Sequence, residues 1–207
     1  MRKIGLWMGM LLFLAAGSAA AAPVILVFGD SLAAAYGIPN QSGWVELLQQ
    51  RLAREKWHYS VVNASQSGET TAGGRTRINQ TLAAQRPAIV ILELGANDGL
   101  RGLPLEASRA NLAAMLQACR DAQARVLLVG MRIPPNYGPR YTRQFEENYR
   151  ELARQFRVPL LPFLLEGIAE NREMFQPDGL HPTAAAQQAV LENVWRELKP
   201  LLDGKTK

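Results

Sequence analysis

Hydrophobic positions along this chain follow two alternating patterns: short unbroken apolar runs, and longer stretches with an apolar residue every three or four positions. Such runs are typical of strands buried on both faces, and the clearest lie at residues 24–28 and 88–94. Shorter segments at residues 59–63, 125–129 and 158–161 are predicted to be the other strands. The periodic pattern is typical of helices. It predicts helices at residues 43–55, 106–122, 141–156 and 183–201, and another helix ending near residue 85.

Strands that alternate with helices at this spacing predict a parallel sheet with helices on both sides. We expect a three-layer α/β/α fold with a five-stranded sheet in the flavodoxin-like order 2-1-3-4-5, because right-handed crossovers leave few alternatives. Pro159 cannot donate to a strand ladder, which places the fifth strand at a sheet edge. Segments that follow the strands then gather where open α/β folds place their active sites.

The N-terminal region is predicted to be an export signal. Basic residues precede an apolar segment at residues 4–16, and the small residues 19–21 fit a cleavage pattern. We place the cleavage after Ala21, so that residues 1–21 form the leader and residues 22–207 form one domain in the periplasm or outside the cell. The alternative, a permanent membrane anchor, would take residues that the first strand requires.

Composition and charge exclude several classes of protein. The 207 residues are 48% hydrophobic and 20% charged, which suits one domain with a sizeable core. The net charge of +5 comes from scattered basic residues, so nucleic-acid binding is not expected. Cys119 is the single cysteine and lies on a helical stripe, which favours packing. The two histidines, His58 and His181, are far apart in the sequence, so no metal site is expected. No cofactor and no obligate protein partner are predicted.

The first strand runs directly into Gly29-Asp30-Ser31. Gly29 permits a sharp turn, and Ser31 is then expected at the start of the next helix, where backbone N–H groups favour a developing anion. A simpler interpretation is that the tripeptide is an ordinary turn. Support must therefore come from other segments.

A second segment offers a base for such a serine. His181 lies in a turn before the last helix, with Asp178 three residues earlier, where an aspartate can orient the imidazole and stabilise its charged form. The alternative is a polar helix start in which Asp178 is a surface turn residue. His58 begins a strand and is expected at the surface or the rim.

Gly68 and Asn97 are candidate donors for an oxyanion. A glycine allows a ligand to approach its backbone N–H, and an asparagine side chain offers two N–H donors. Both segments also suit ordinary turns. Their joint occurrence after successive strands favours the catalytic interpretation.

These four segments together resemble the SGNH, or GDSL, hydrolase family, and above all its exported bacterial esterases. The resemblance implies that Ser31 is the nucleophile, that His181 is the general base and then the acid, and that Asp178 orients His181. It implies an oxyanion hole made by the N–H groups of Ser31 and Gly68 and by the Asn97 side chain. It also implies a serine esterase acting on carboxylic esters and acyl thioesters, including fatty acyl, aryl ester and lysophospholipid substrates.

Two rival functions and several residues stay open at this point. The rivals are a carbohydrate O-deacetylase with the same triad, and a non-catalytic flavodoxin-like binding protein, against which the lack of a phosphate-loop lysine pattern argues. Apolar residues in predicted loops are expected either to line an acyl groove or to pack the loops: Leu100, Leu103, Ile133 and Tyr137. Glu93 interrupts an apolar strand without an evident partner, and Asp98 is expected to brace its loop.

Overall fold

The computed structural model describes residues 21–204, and the predicted leader lies outside them except for Ala21. The strands are β1 Val24–Gly29, β2 Ser60–Asn63, β3 Ile89–Glu93, β4 Arg125–Val129 and β5 Leu160–Leu161. The α-helices are α1 Trp44–Arg54, α2 Thr71–Gln85, α3 Ala96–Leu100, α4 Leu105–Asp121, α5 Pro139–Phe156 and α6 Gln187–Leu202.

The sheet is parallel throughout and has the order β2-β1-β3-β4-β5, which confirms the prediction. β1 lies at its centre, with Ile25 opposite Val61 on one side and Ile89 on the other. From Ile25 to Gly29 every residue of β1 is buried. An unbroken apolar run is therefore the expected composition of this strand.

Helices cover both sides of the sheet in two groups: α1 packs against α6, whereas α2, α4 and α5 pack in a row. Cys119 of α4 is buried in the core, and burial raises the pKa of its thiol to about 12. A thiol with that pKa stays protonated at neutral pH, which agrees with a packing role. Within residues 21–204, no helix has the length and apolar character needed to cross a membrane.

Ser31 does not begin a helix, contrary to the expectation from its place after β1, whereas the turn region that Gly37 and Pro39 predict over residues 33–39 is present. Ser31 opens a series of turns that runs to Gly37. The backbone is left-handed at Ala35, with φ 56°, and at Gly37, with φ 73°, and this conformation cannot continue a right-handed helix. The helix-dipole argument therefore does not apply to Ser31.

Three other boundaries differ from the prediction for identifiable reasons. Asn97 lies in the one-turn helix α3 and not in a loop. β5 is reduced to Leu160–Leu161, because Pro159 has no N–H and contributes its carbonyl to Leu128 N. The sequence predicts that Ser42 caps α1, but the helix begins after Gly43 without a side-chain cap. Instead, Trp44 N donates to Gln187 Oε1 of the distant helix α6.

Candidate active site

The carboxyl edge of the sheet gathers the predicted site residues, as expected for a parallel fold. β1 leads to Ser31, the loop after β2 carries Gly68, and α3 after β3 carries Asn97. His181 lies on the loop that precedes α6. All four of these residues line one cavity of about 980 Å³.

Ser31, His181 and Asp178 form a continuous chain of hydrogen bonds. Ser31 Oγ lies 2.9 Å from His181 Nε2, and His181 Nδ1 lies 2.7 Å from Asp178 Oδ2. Tyr36 packs against the imidazole with its ring centroid 4.6 Å away. The structure thus brings together the three predicted residues in the order nucleophile, base and orienting acid.

The protonation state of Asp178 sets the tautomer of His181. The backbone N–H of Leu180, then the ring and N–H of His181, donate to this carboxylate and lower its pKa to about 2. An ionised carboxylate can only accept, so His181 Nδ1 must carry the hydrogen. Nε2 is then free to accept the Ser31 hydroxyl hydrogen, as a general base must.

The loop that carries this pair is held to the nucleophile segment by Gln176. Its side-chain Nε2 donates to Tyr36 O at 2.8 Å and to Pro182 O at 3.1 Å. Its backbone N–H donates to His181 O at 2.8 Å. Gln176 therefore bridges the turns after Ser31 and the segment around His181, and sequence reasoning did not identify it.

The predicted oxyanion donors Gly68 and Asn97 both line the cavity, but they differ in the hydrogen bonds that they make with the rest of the protein. Gly68 is exposed to the cavity with φ +78°, a left-handed conformation suited to glycine, and its carbonyl accepts from Arg101 Nη2 at 3.0 Å. The Asn97 Nδ2 donates to Asp30 Oδ2 at 3.1 Å and to Glu69 O at 3.0 Å. Both hydrogens of the Asn97 amide thus have protein acceptors.

Two buried carboxyl groups lie directly behind the nucleophile turn. Asp30 is 1% exposed, and burial raises its pKa to about 6. Glu93 is completely buried, and burial, followed by the neighbouring Asp30 charge, raises its pKa well above the ordinary value. Glu93 Oε2 accepts from Asp30 N at 3.2 Å, which identifies the partner that the sequence did not reveal.

Asp98 braces the site, as predicted, through three hydrogen bonds. It accepts from the backbone N–H of Thr71 at 2.8 Å, from the Thr71 hydroxyl at 2.5 Å and from the Ser108 hydroxyl at 2.9 Å. These donors belong to α2 and α4. Asp98 therefore joins α3, and with it Asn97, to two longer helices.

The predicted acyl-groove residues divide into two groups. Leu100 and Ile133 line the cavity. Tyr137 does not: it lines a neighbouring groove, and its hydroxyl donates to Leu100 O at 2.6 Å. The expectation that Tyr137 contacts substrate is corrected to a supporting role. Leu103 is similar, since its carbonyl accepts from Tyr141 at 2.9 Å.

Further apolar cavity residues were missed in the sequence. Met131, Phe163 and Leu165 line the cavity and are nearly buried. All three follow β4 or β5. The available signal was their position after a strand, at the same sheet edge as Ser31, Gly68 and Asn97. Within residues 21–204, no group of three or more metal-ligating side chains is suitably placed for an ion.

Comparison with known proteins agrees with this geometry. The family described as "GDSL-like Lipase/Acylhydrolase family" matches residues 27–189. The chain is 52% identical over 183 residues to "Esterase TesA" of Pseudomonas aeruginosa, covering 88% of this chain and 91% of that protein. It is 40% identical over 187 residues to "Thioesterase 1/protease 1/lysophospholipase L1" of Escherichia coli, covering 89% and 88%.

A solved structure extends the comparison to three dimensions. The esterase EstA from Pseudoalteromonas sp., crystallised with monoethylphosphonate as inhibitor, has a TM-score of 0.84 and 38% identity, covering 87% of this chain and 98% of that one. The family match and the Ser31 geometry exclude the non-catalytic binding protein. The chain therefore belongs to the GDSL-like lipase/acylhydrolase family and is a serine esterase.

Proposed function

We propose that this esterase hydrolyses acyl esters and acyl thioesters through an acyl-enzyme on Ser31. The observation that carries the proposal is the 2.9 Å contact between Ser31 Oγ and His181 Nε2, continued at 2.7 Å to Asp178. A hydroxyl in hydrogen-bond contact with an oriented imidazole is the arrangement that nucleophilic acyl transfer needs.

The first half of the reaction transfers the acyl group to the enzyme. Ser31 Oγ attacks the substrate carbonyl carbon while His181 Nε2 takes the hydroxyl proton, and the carbonyl oxygen becomes an oxyanion. The oxyanion accepts from the N–H groups of Ser31 and Gly68 and from the Asn97 amide. The bond to the alkoxide or thiolate leaving group then breaks, and His181 returns the proton to that group.

The second half releases the acid. Water attacks the acyl-enzyme carbon as His181 takes one of its protons, and the same donors stabilise the second oxyanion. The bond to Ser31 Oγ breaks, and His181 gives the proton back to the serine. Asp178 stays ionised throughout and stabilises the imidazolium that forms twice in each cycle.

The cavity supports acyl chains as the specific substrates. It extends from Ser31 along apolar side chains of α3 and of the loops after β4 and β5, namely Leu100, Met131, Ile133, Phe163 and Leu165. A volume of about 980 Å³ is at the upper end of ordinary ligand pockets, so a fatty acyl chain can be accommodated. The relatives named as a thioesterase and lysophospholipase support thioesters and lysophospholipids as substrates.

Export is part of the proposal. Residues 1–21 have the basic start, apolar centre and small-residue end of a cleaved signal, so we expect a mature protein that begins near Ala22 in the periplasm or outside the cell. Mass spectrometry of the exported protein tests this. A protein that retains Met1 would contradict it.

The reaction is tested with p-nitrophenyl esters from acetyl to palmitoyl and with an acyl thioester. Ser31→Ala is expected to lower kcat by about 10⁴-fold or more on each substrate, because no other group supplies the nucleophile. Ser42→Ala, which removes a hydroxyl just before α1, is the control and should retain activity. Full activity of Ser31→Ala would refute the nucleophile assignment, and hydrolysis confined to acetyl esters would favour an O-deacetylase.

Chain-length preference tests the acyl cavity. Ile133 is 7% exposed on the cavity wall, so Ile133→Asp places a carboxylate where the acyl chain would pack. Activity on decanoyl and longer esters should fall at least ~10-fold more than activity on acetyl esters. The ratio cancels any loss of folded protein, and Ile133→Val is the apolar control. Equal losses on both substrates would argue against the groove.

A further inference from the structure

Asp30 is a buried titratable group that adjoins the nucleophile in the chain but has no role in the reaction described above. Its two carboxylate oxygens have different partners. Oδ1 accepts from Leu32 N at 3.0 Å, and Oδ2 accepts from Asn97 Nδ2 at 3.1 Å. One carboxylate therefore contacts both the turn that carries Ser31 and the side chain that is to bind the oxyanion.

Residues from other parts of the fold, above all Glu93 of β3, surround Asp30. Its backbone N–H donates to Glu93 Oε2 of β3 at 3.2 Å. Gly29 is needed for this approach, since a Cβ there would lie 2.4 Å from Glu93 Oε2. Turn formation alone would not require a charged group to be buried against a second carboxyl group, because an uncharged acceptor could receive the Leu32 N–H at lower cost in desolvation.

The Asn97 amide depends on its acceptors for its orientation. The planar carboxamide of an asparagine can rotate about the Cβ–Cγ bond. In Asn97 this rotation is restrained, because the two hydrogens of Nδ2 are held by Asp30 Oδ2 and Glu69 O. Because both hydrogens are engaged, Asn97 can serve an oxyanion only through a hydrogen shared with one of these acceptors. Small errors in the direction of such a donor cost much of its effect in the transition state.

We propose that Asp30 is a positioning residue that holds the Asn97 side-chain amide in register with the Ser31 N–H, so that both donors face the same oxyanion. This inference rests on the proposed acyl-enzyme mechanism. It assigns to the aspartate of the Gly29-Asp30-Ser31 segment a role beyond its local turn. Asp30 acts through Asn97 and does not contact the substrate.

The charges around Asp30 determine how this role responds to pH. His181 from the triad loop lowers the pKa of Asp30 and Asp98 from α3 raises it, while Glu93 from β3 accepts the hydrogen bond of the Asp30 backbone N–H. Burial is the largest influence and raises the pKa of Asp30 to about 6. Below that pH the carboxyl group becomes protonated, and the charge that attracts the Asn97 hydrogen is lost.

The decisive variant is Asp30→Asn. Its side-chain oxygen can still accept from Leu32 N, but its amide then faces the Asn97 amide, so that one donor meets another. The turn contact is kept while the Asn97 contact is broken. Asp121→Asn, at the exposed end of α4, is the matched control and should behave as the wild type.

A double-mutant cycle on a long-chain p-nitrophenyl ester tests the inference. Asn97→Ala is expected to lower kcat by about 10²–10³-fold, and Asp30→Asn by about 10-fold or more with KM changed less than about threefold. The double variant should be no slower than Asn97→Ala within about threefold, because Asp30 has no route of action without Asn97. Losses that multiply would overturn the inference, whereas an active Ser31→Ala would overturn the mechanism itself.

If Asp30→Asn does not fold, the inference can still be tested by NMR on the protein that keeps Ser31 and Asp30. The Asn97 side-chain NH₂ resonances, assigned by their absence in Asn97→Ala, should shift with pH with a midpoint near the pKa of Asp30, about 6. The same resonances in Asp121→Asn should keep that midpoint, because Asp121 lies at the exposed end of α4, where its carboxylate accepts from Gln117. Resonances that do not respond between pH 5 and 7 would contradict the inference.

Discussion

Two aspartates of this site, Asp178 and Asp30, contact the His181 ring and the Asn97 amide respectively, and their pKa values are shifted in opposite directions. The side chain of Asp178 is 38% exposed and has a pKa of about 2, whereas Asp30 is 1% exposed and has a pKa of about 6. Each accepts hydrogen bonds from neighbouring groups. Asp178 has three such donors and Asp30 has two, but burial is the largest influence on the pKa of Asp30, so the main difference lies in what surrounds the carboxylate.

The comparison shows how one fold assigns two tasks to the same residue type. Asp178 lies near water and accepts from Leu180 N, His181 N and the His181 ring, so its charge is stabilised without a large desolvation cost. Asp30 lies against the sheet beside Glu93, where desolvation outweighs its two donors. The exposed aspartate is permanently ionised and suits a positive imidazolium, whereas the buried one changes its charge near neutral pH.

The largest effect is expected where the exposed aspartate is changed. Asp178→Asn replaces an acceptor-only group by an amide whose NH₂ can face His181 Nδ1, which favours the wrong tautomer. We expect kcat to fall by about 10³–10⁴-fold. Steady-state kinetics on one ester measures the loss, and Asp203→Asn at the exposed end of α6 is the control. A loss below tenfold would mean that Asp178 does not orient the base.

A smaller effect is expected from a change at Gln176, which bridges the turns after Ser31 and the segment around His181. Gln176→Ala removes the side-chain bonds to Tyr36 O and Pro182 O, but the backbone bond from Gln176 N to His181 O remains. We therefore expect kcat to fall by about 10-fold with little change in KM, because His181 loses alignment and the acyl cavity is retained.

The control for this bridge is Gln188→Ala on the exposed face of α6, which removes a glutamine bonded to Glu192. It should leave kcat unchanged. A rise in KM without loss of kcat in Gln176→Ala would indicate that Gln176 shapes the binding cavity and does not position the base.

The smallest effect on activity, but a clear effect on stability, is expected at Glu93. Burial raises its pKa in the folded protein, so the folded state holds a proton that the unfolded chain releases above its ordinary pKa. Folding free energy is therefore lost as the pH rises from about 5 towards the raised pKa. Glu93→Gln does not ionise and avoids this loss.

Thermal unfolding checks this prediction. The Tm of Glu93→Gln relative to the wild type should be higher at pH 8 than at pH 5 by about 3 °C or more, since one pKa unit corresponds to about 1.4 kcal/mol. Glu197→Gln on α6 is the exposed control and should show no such change. A difference in Tm that is independent of pH would mean that Glu93 ionises as readily in the folded protein as in the unfolded chain.

Much of the fold and of the catalytic chain could be predicted from the sequence, because both depend on local patterns. Apolar runs such as Val24–Gly29 are typical of buried strands, and parallel strands bring their following segments to one edge. The three-residue spacing of Asp178 and His181 is sufficient to join them within one turn. Ser31 and Asn97 follow neighbouring strands, β1 and β3, so their proximity follows from the sheet order.

Other features were decided by the tertiary structure alone. The raised pKa of Asp30 depends on its burial, and that of Glu93 depends on burial and on Asp30, 63 residues away. The hydrogen bonds that hold the Asn97 amide depend on Asp30 and Glu69. The residue type and loop position of Tyr137 suggest a substrate contact, but the side chain lines a neighbouring groove. Desolvation and side-chain direction arise from packing between distant segments, and a linear pattern of residues does not contain them.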